Sequence, residues 1–393
     1  MTAGPLDDVR VLDLTRLLPG GYATLLMADL GADVVKLEEP GKGDYIRWTP
    51  PLVGDMSASH LALNRNKRSM TLNLKTERGR ELFLDLAGRF DVVVESFRPG
   101  VLERLGVGWS ALHERHPRLI YCAISGYGQD GPRATTAGHD VNYIGYAGIL
   151  GITGREDDRP VIPGVQIGDL AGGGMGAVIA MLAALHRRSV TGEGDFCDVS
   201  MMDGALSWLT IHAAGFFASG EPPQRERMHL SGGFPCYRVY PASDGWLSVG
   251  ALEPPFWSAL CNALDRPDLL DDAFAVGERR AEVIRSLEET FARDTRAGWM
   301  ERFEGLDVCV GPVNDLAETF DDEQVRHRDM VFTTEIEGVG SWRHIGNPLK
   351  MSGAPGKVDR LPPPRLGEHT TAILSDAGLS PEEIEALQAS AVI

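Results

Sequence analysis

Val9-Arg10-Val11-Leu12-Asp13-Leu14 and Asp33-Val34-Val35-Lys36-Leu37-Glu38 each alternate as strands do, and a loop (residues 15–21) and a helical stretch (residues 22–30, stopped by Gly31) separate them. A strand followed by a helix and a second strand is a unit whose two strands pair in parallel, through a right-handed crossover that covers one face of the sheet. Strand-like runs recur at residues 70–75, 91–95, 119–124 and 196–201, with an amphipathic helical stretch at 76–90 and a nearly all-apolar one at 175–185. The chain therefore reads as α/β, with a Rossmann-like parallel sheet in a large domain. An acid, Glu38, closes the second strand where a dinucleotide fold holds a ribose. The first loop has no GxGxxG, however, and Pro19 stands where the phosphate turn would be, so the nicotinamide reading is set aside.

The 393 residues suffice for two domains. Residues 219–233 read as a linker into a smaller α+β domain. That domain opens with a hairpin (236–240, turn 242–245, 246–250) and continues with helices at 278–292 and 297–304 and a strand at 308–313. The expected division is 1–220 for the large domain, 221–335 for the small one, and 336–393 for a return to the large one. Ser380-Pro381-Glu382-Glu383 starts the last helix as a capping box.

The formal net charge of −18 argues against nucleic acid as a partner, and it requires any anionic ligand to be met by a local cluster of Arg and Lys. The five cysteines have no metal-ligand spacing, which suits a reducing cytoplasm. The N-terminal residues show no basic region followed by an apolar run, and no uninterrupted apolar stretch reaches ~18 residues, so neither a secretory signal nor a membrane span is expected.

Two ionisable residues stand in unusual settings. His139 lies in Gly138-His139-Asp140-Val141-Asn142-Tyr143 after a polar turn, and Asp169 follows apolar Ile167 and opens an apolar helical stretch. Taken alone, Asp169 is equally well a helix cap, and His139 a turn or core histidine. Together with Ser125-Gly126-Tyr127-Gly128-Gln129, the order and spacing of these motifs resembles the family III CoA-transferase superfamily (CaiB/BaiF type), and within it the α-methylacyl-CoA racemases. Ser96-Phe97-Arg98-Pro99-Gly100 followed by Arg104-Leu105-Gly106 resembles a further segment of that family.

The resemblance implies an interlocked homodimer that acts on an acyl-CoA thioester, in lipid metabolism, with no metal and no cofactor beyond the CoA moiety of the substrate. It implies CoA contacts at Leu72, Asn73, Leu74, Lys75, Ser96, Arg104, Gly138, His139, Asp140, Val141, Asn142 and Tyr143. Arg98, at a strand end, is placed to join Arg104 on a diphosphate. The racemases often carry arginine where this chain has Glu39, so the cluster Arg65, Lys67, Arg68, which is otherwise a solvated basic face, is expected to meet the CoA phosphates instead.

Glu253, in Gly250-Ala251-Leu252-Glu253-Pro254, is by itself a helix cap, and by resemblance the partner of the catalytic histidine. Inverting a carbon α to a thioester needs one acid/base group on each face and donors for the enolate oxygen. His139, oriented by Glu253, is assigned to one face and Asp169 to the other, with backbone N–H groups around Asp169 and the glycine run 172–174 holding the oxygen. The glycine run reads equally well as tight helix packing. The competing reading is an acyl-CoA:carboxylate CoA-transferase with Asp169 as nucleophile through a mixed anhydride. Asn64-Arg65-Asn66-Lys67-Arg68 resembles the transferases more than the racemases.

Overall fold

The computed structural model describes residues 4–393 except 355 and 357; residues 1–3, where the expected large domain begins, lie outside the described residues. The chain forms two compact units, residues 1–147 with 164–208 and 324–393, and residues 148–163 with 209–323.

Six strands of the first unit form one sheet: β1 (Arg10–Asp13), β2 (Asp33–Glu38), β3 (Lys67–Thr71), β4 (Val92–Glu95), β5 (Ile120–Ser125) and β6 (Phe196–Ser200). Their order is β3-β2-β1-β4-β5-β6, and every pairing is parallel. The direction of strand addition reverses between β1 and β4, which opens a crevice beyond the carboxyl ends of these strands, the usual ligand site of such sheets.

Helices cover both faces, so the strands are apolar on both sides. Leu12, Val35, Val93, Tyr121 and Ala123 pack with Leu82, Phe83 and Leu86 of helix Glu77–Ala87 and with Ile373, Leu374, Ile384 and Leu387 of the two C-terminal helices. The alternate residues Val11, Val34, Val92, Val94 and Ile120 pack with Ala23 and Met27 of helix Leu17–Asp29 and with Ala177, Val178 and Met181 of helix Gly176–Thr191. Ser380 and Glu383 cap the last helix reciprocally, at 3.3 and 2.7 Å.

Several expectations shift. The strand read at 70–75 is β3, which runs from Lys67 to Thr71. Its ladder with β2 begins at Lys67 opposite Val34, and beyond it the Asn73 N–H leaves the sheet for Val392 O (2.8 Å). Leu72–Lys75 therefore form a loop at the carboxyl edge.

The expected phosphate contacts of Arg65, Lys67 and Arg68 are corrected. Arg65 forks onto Asp29 at 3.1 and 2.5 Å, with both side chains buried. Lys67 is fully buried, 3.5 Å from Asp13 and donating to Gly21 O and Asn64 Oδ1. Arg68 forks onto Asp33. A basic run beside acidic helix and strand positions is satisfied within the fold before any ligand arrives.

The apolar stretch at 175–185 is the core of a longer element, a π-helix (Ile167–Met175) continued by the α-helix Gly176–Thr191. The run Ile167–Thr191 has the length and composition to cross a membrane, contrary to the expectation that no such segment exists. Its packing on the sheet, through Ala177, Val178, Met181 and Ala184, accounts for its apolar character.

Gly172, Gly173 and Gly174 are buried, and a Cβ on Gly172 would stand 2.6 Å from Met201 O and 2.9 Å from Ala205 N. The glycine run thus lets the π-helix lie backbone to backbone on helix Met201–Ser207, the packing alternative.

In the second unit, strands Tyr237–Ala242, Gly245–Gly250 and Val310–Pro312 form an antiparallel sheet, and helices Pro254–Ala263, Gly277–Phe291 and Arg296–Arg302 pack with it around Tyr240, Leu247, Trp257 and Phe291. The unit begins at 209 and ends at 323, where the sequence places 221 and 335, and it gains residues 148–163. The Arg225 guanidinium ties that segment in by donating to the carbonyls of Gly151, Arg155 and Asp158, a long-range link that leaves no periodic trace in the sequence.

Candidate active site

A cavity of about 410 Å³ lies at the carboxyl ends of β1 to β4. Leu72, Asn73, Leu74 and Lys75 line it, as do Arg16, Glu39, Tyr45 and Phe97. The loop after β1 is held by buried charge. Asp13 accepts from the Thr15 N–H (2.8 Å) and hydroxyl (2.6 Å) and from Thr24 (2.6 Å), while Lys36 donates to Thr15 O (2.9 Å) and pairs with Asp44 at 3.0 Å. Asp44 in turn accepts from the Leu17 N–H at 3.1 Å. Opposite it, Ser96 accepts from the Arg16 N–H at 2.9 Å.

So fixed, the Arg16 guanidinium stands 5.6 Å from the centre of the Tyr45 ring and 5.2 Å from that of Phe97, and 3.9 Å from Glu39. Lys75 pairs with Glu39 at 2.5 Å. Glu39 thus joins two cations at the cavity rim, and Glu38, the acid that suggested a ribose, is spent on Arg47 at 2.5 and 2.7 Å.

Arg16, Tyr45 and Phe97 were missed in the sequence. The available signal was position alone, since Arg16 occupies the first βα turn, which faces ligand phosphates in sheets of this kind. Arg98 and Arg104 are exposed on the segment that follows β4, and they are not part of the cavity wall.

His139 and Asp169 lie elsewhere in the same unit. His139 is the exposed N-cap of helix Asp140–Tyr146, and its main-chain N–H donates to Asn142 Oδ1 at 3.0 Å. Asp140 Oδ1 accepts from the Asp169 N–H at 3.0 Å, which fastens the start of the π-helix to this helix start. The residue next to His139 is therefore bonded directly to the main chain of Asp169. That N–H is consequently not a donor for an enolate, contrary to the expectation.

Burial first, and the Asp140 carboxylate second, push the Asp169 carboxyl up to about 7. Tyr143, buried and donating to Gly138 O at 2.5 Å, is pushed up to about 12 by burial and then by the charge of Asp169, with Arg98 opposing. The Arg98 charge thus acts on this cluster, whereas Leu72–Lys75 line the cavity. Val141, in the first turn of the same helix, is exposed. Glu253 belongs to the second unit. It is the exposed N-cap of helix Pro254–Ala263, and its side chain makes no cap hydrogen bond.

A buried acid that the sequence did not single out holds the loop carrying Phe97 and Arg98. Glu95, at the end of β4, accepts from the Phe97 N–H at 2.5 Å and from the Tyr121 hydroxyl at 3.4 Å. Burial raises its carboxyl from 4.5 to about 7. The folded state therefore binds this proton more tightly than the unfolded one, and the stabilising effect is complete below about 4.5 and lost as pH rises through about 7. Glu95→Gln keeps an acceptor for Phe97 and removes the buried charge. Its urea midpoint should match the parent's at pH 4 and exceed it at pH 8, by up to ~3 kcal/mol in free energy. An equal shift at both pH values would refute a titrating Glu95.

Comparisons with known proteins agree with this architecture. The profile of CoA-transferase family III matches residues 6–370. Human succinyl-CoA:glutarate CoA-transferase is 37% identical, over 95% of this chain and 86% of that protein. Human alpha-methylacyl-CoA racemase is 35% identical, over 99% of this chain and 97% of that protein. The crystal structure of a CaiB/BaiF family protein from Brucella suis superposes with a TM-score of 0.83 at 33% identity, covering 95% of this chain and 99% of that one. With the six-stranded parallel sheet and the His139 and Asp169 motifs in place, the chain belongs to the CoA-transferase family III superfamily.

Proposed function

We propose that this chain is an α-methylacyl-CoA racemase-like isomerase, inverting the α-carbon of 2-methylacyl-CoA thioesters by two-base 1,1-proton transfer through an enolate. The Asp169 carboxyl carries this reading: raised to about 7, it is divided between its two protonation states at neutral pH, as a group that both takes and returns protons should be. In one direction Asp169 accepts the α-proton, the electron pair moves into the thioester carbonyl as an enolate, and the His139 imidazolium returns a proton to the opposite face. The reverse direction exchanges the roles.

The N–H groups of Ile167 and Gly168, the first two of the helix that starts at Ile167, are assigned to the enolate oxygen. The CoA nucleotide is assigned to the 410 Å³ cavity, with Leu72–Lys75 and Arg16 contacting it, and Ser96, Arg98 and Arg104, which lie outside the cavity wall, are assigned to the diphosphate. Gly138–Tyr143 carries the thioester end, and Glu253 is assigned to orienting His139.

A homodimer is part of the proposal. Ile179 and Val190 stand exposed on a helix that buries one face against the sheet, and Leu206 and Trp208 stand exposed at the end of helix Met201–Ser207, apolar surface a second copy would cover. Five free thiols, including Cys122 and Cys197 opposite one another in β5 and β6, suit a reducing compartment such as the cytoplasm.

A second reading is favoured by the transferase relative at 37% identity: an acyl-CoA:carboxylate CoA-transferase in which ionised Asp169 attacks the thioester to give a mixed anhydride and CoA thiolate, the thiolate attacks the aspartyl carbonyl and releases the first carboxylate, and a second carboxylate takes CoA from Asp169 by the same two steps in reverse. One experiment separates the two. A 2-methylacyl-CoA incubated in D2O reports α-proton exchange, and added free acid reports a new thioester. Exchange without transfer, lost in His139→Ala, is the expected result. Transfer that needs Asp169 and survives His139→Ala reverses the assignment.

A further inference from the structure

The turn that follows β2 sets a carboxylate, Glu39, on the wall of the 410 Å³ cavity. Glu38, the last residue of β2, accepts from the Asp44 N–H at 2.9 Å, and the Gly43 N–H donates to Glu39 O at 3.2 Å. Gly43 has a φ of 64°, and a Cβ there would stand 2.8 Å from Glu38 Oε1, so the turn needs glycine. Across from it, the loop Leu72–Lys75 is fixed from its own side. Asn73 Oδ1 accepts from the Lys75 N–H at 3.1 Å, and Arg80 donates to Lys75 O at 3.0 Å.

Among the described residues, two cations belong to the cavity wall, Arg16 and Lys75, and Glu39 meets both, at 3.9 and 2.5 Å. The other two acids of the wall, Glu38 and Asp44, are buried and paired with Arg47 and Lys36, so neither competes for those cations. The Lys75 ammonium first, then the Arg16 and Lys42 charges, hold the Glu39 carboxyl below the usual carboxylate range against the opposing effect of burial, and it is an anion at neutral pH. The basic run Arg65, Lys67, Arg68 offers no further cation, being paired with Asp29, Asp13 and Asp33.

A phosphomonoester brings about −1.5 to −2 charges at pH 7. On this wall it would draw on the two cations that Glu39 already holds and stand beside the Glu39 carboxylate, so attraction and repulsion oppose each other. A ribose hydroxyl instead donates to that carboxylate in a charge-assisted bond, as it does to the acid near the second strand of dinucleotide-binding sheets. The three side chains are 35 to 74% exposed, so water screens these pairs and the effect is one of degree. We propose that Glu39 sets the nucleotide specificity of this cavity by cancelling the advantage of a ribose 3′-phosphate, so that the site takes thioesters of the dephosphorylated nucleotide as readily as those of CoA itself. This rests on the assignment of the CoA nucleotide to the cavity; the indifference to the 3′-phosphate goes beyond it.

Calorimetric titration of the full chain with acyl-free CoA and with dephospho-CoA tests the proposal without turnover. The parent should bind the two within about threefold of each other. Glu39→Gln, an exposed substitution whose melting temperature reports the fold, frees both cations and should prefer CoA by about tenfold, and Glu39→Arg by more. Added salt should shrink the preference in both variants and leave the parent's ratio unchanged. A parent that prefers CoA by about tenfold or more, or a ratio unmoved in both variants, would overturn the role of Glu39 and leave the cavity assignment standing. Binding of neither nucleotide to the parent would overturn the cavity assignment and the specificity with it.

Discussion

Asp169→Asn is expected to lower α-proton exchange by ~10³-fold while making the fold more stable at alkaline pH. On the racemase proposal the loss follows from removing one of the two groups assigned to carry protons, since an amide neither accepts nor returns the α-proton. The gain follows from linkage. The Asp169 carboxyl titrates at about 7 in the folded chain and near 3.8 when unfolded, so the folded state pays to ionise it. Stability from this group is therefore complete below about 3.8 and lost as pH rises through about 7. The asparagine variant should melt higher than the parent at pH 8 and equally with it at pH 4.

If Asp169 abstracts the α-proton as proposed, kcat/KM in the parent should rise through about pH 7 and level off, as the carboxylate form accumulates. Deuterium wash-in followed by mass spectrometry and paired thermal melts measure both sides. A variant that loses activity without gaining stability at pH 8 would mean that the carboxyl is not held in its neutral form by burial and Asp140.

The second large effect concerns stability alone. Arg65→Ala leaves Asp29 buried without its ion pair and should cost ~3–5 kcal/mol, whereas Arg68→Ala, whose partner Asp33 is partly exposed, should cost ~0–1 kcal/mol. Asn66, which donates to Asp29 at 2.8 Å, cannot compensate for the missing charge. Both variants should bind CoA as the parent does wherever they remain folded. Denaturant midpoints and CoA titration decide the matter. A large loss of CoA affinity with an unchanged midpoint would restore these arginines to phosphate binding and refute the ion-pair assignment.

These two cases show where reading the chain succeeds and stops. The parallel sheet was legible because β1, helix Leu17–Asp29 and β2 follow one another with matched periodicities, and burial on both faces demands the near-continuous apolar strands the sequence shows. His139 and Asp169 stood out only through the order and spacing of motifs that resemble the family, since locally a polar turn before a helix and an acid opening an apolar helix read equally as a turn histidine and a helix cap.

What the sequence could not carry is partner choice over long separations. Arg65 finds Asp29, Lys67 finds Asp13 and Arg225 finds the segment 148–163, each through tertiary packing with no local signature. The same holds for function. The sequence determined that Asp169 is present at a helix start; only the fold placed Asp140 against its main chain, half-buried its carboxyl and so raised it to about 7, because desolvation and neighbouring charge exist only once the chain has closed around the group.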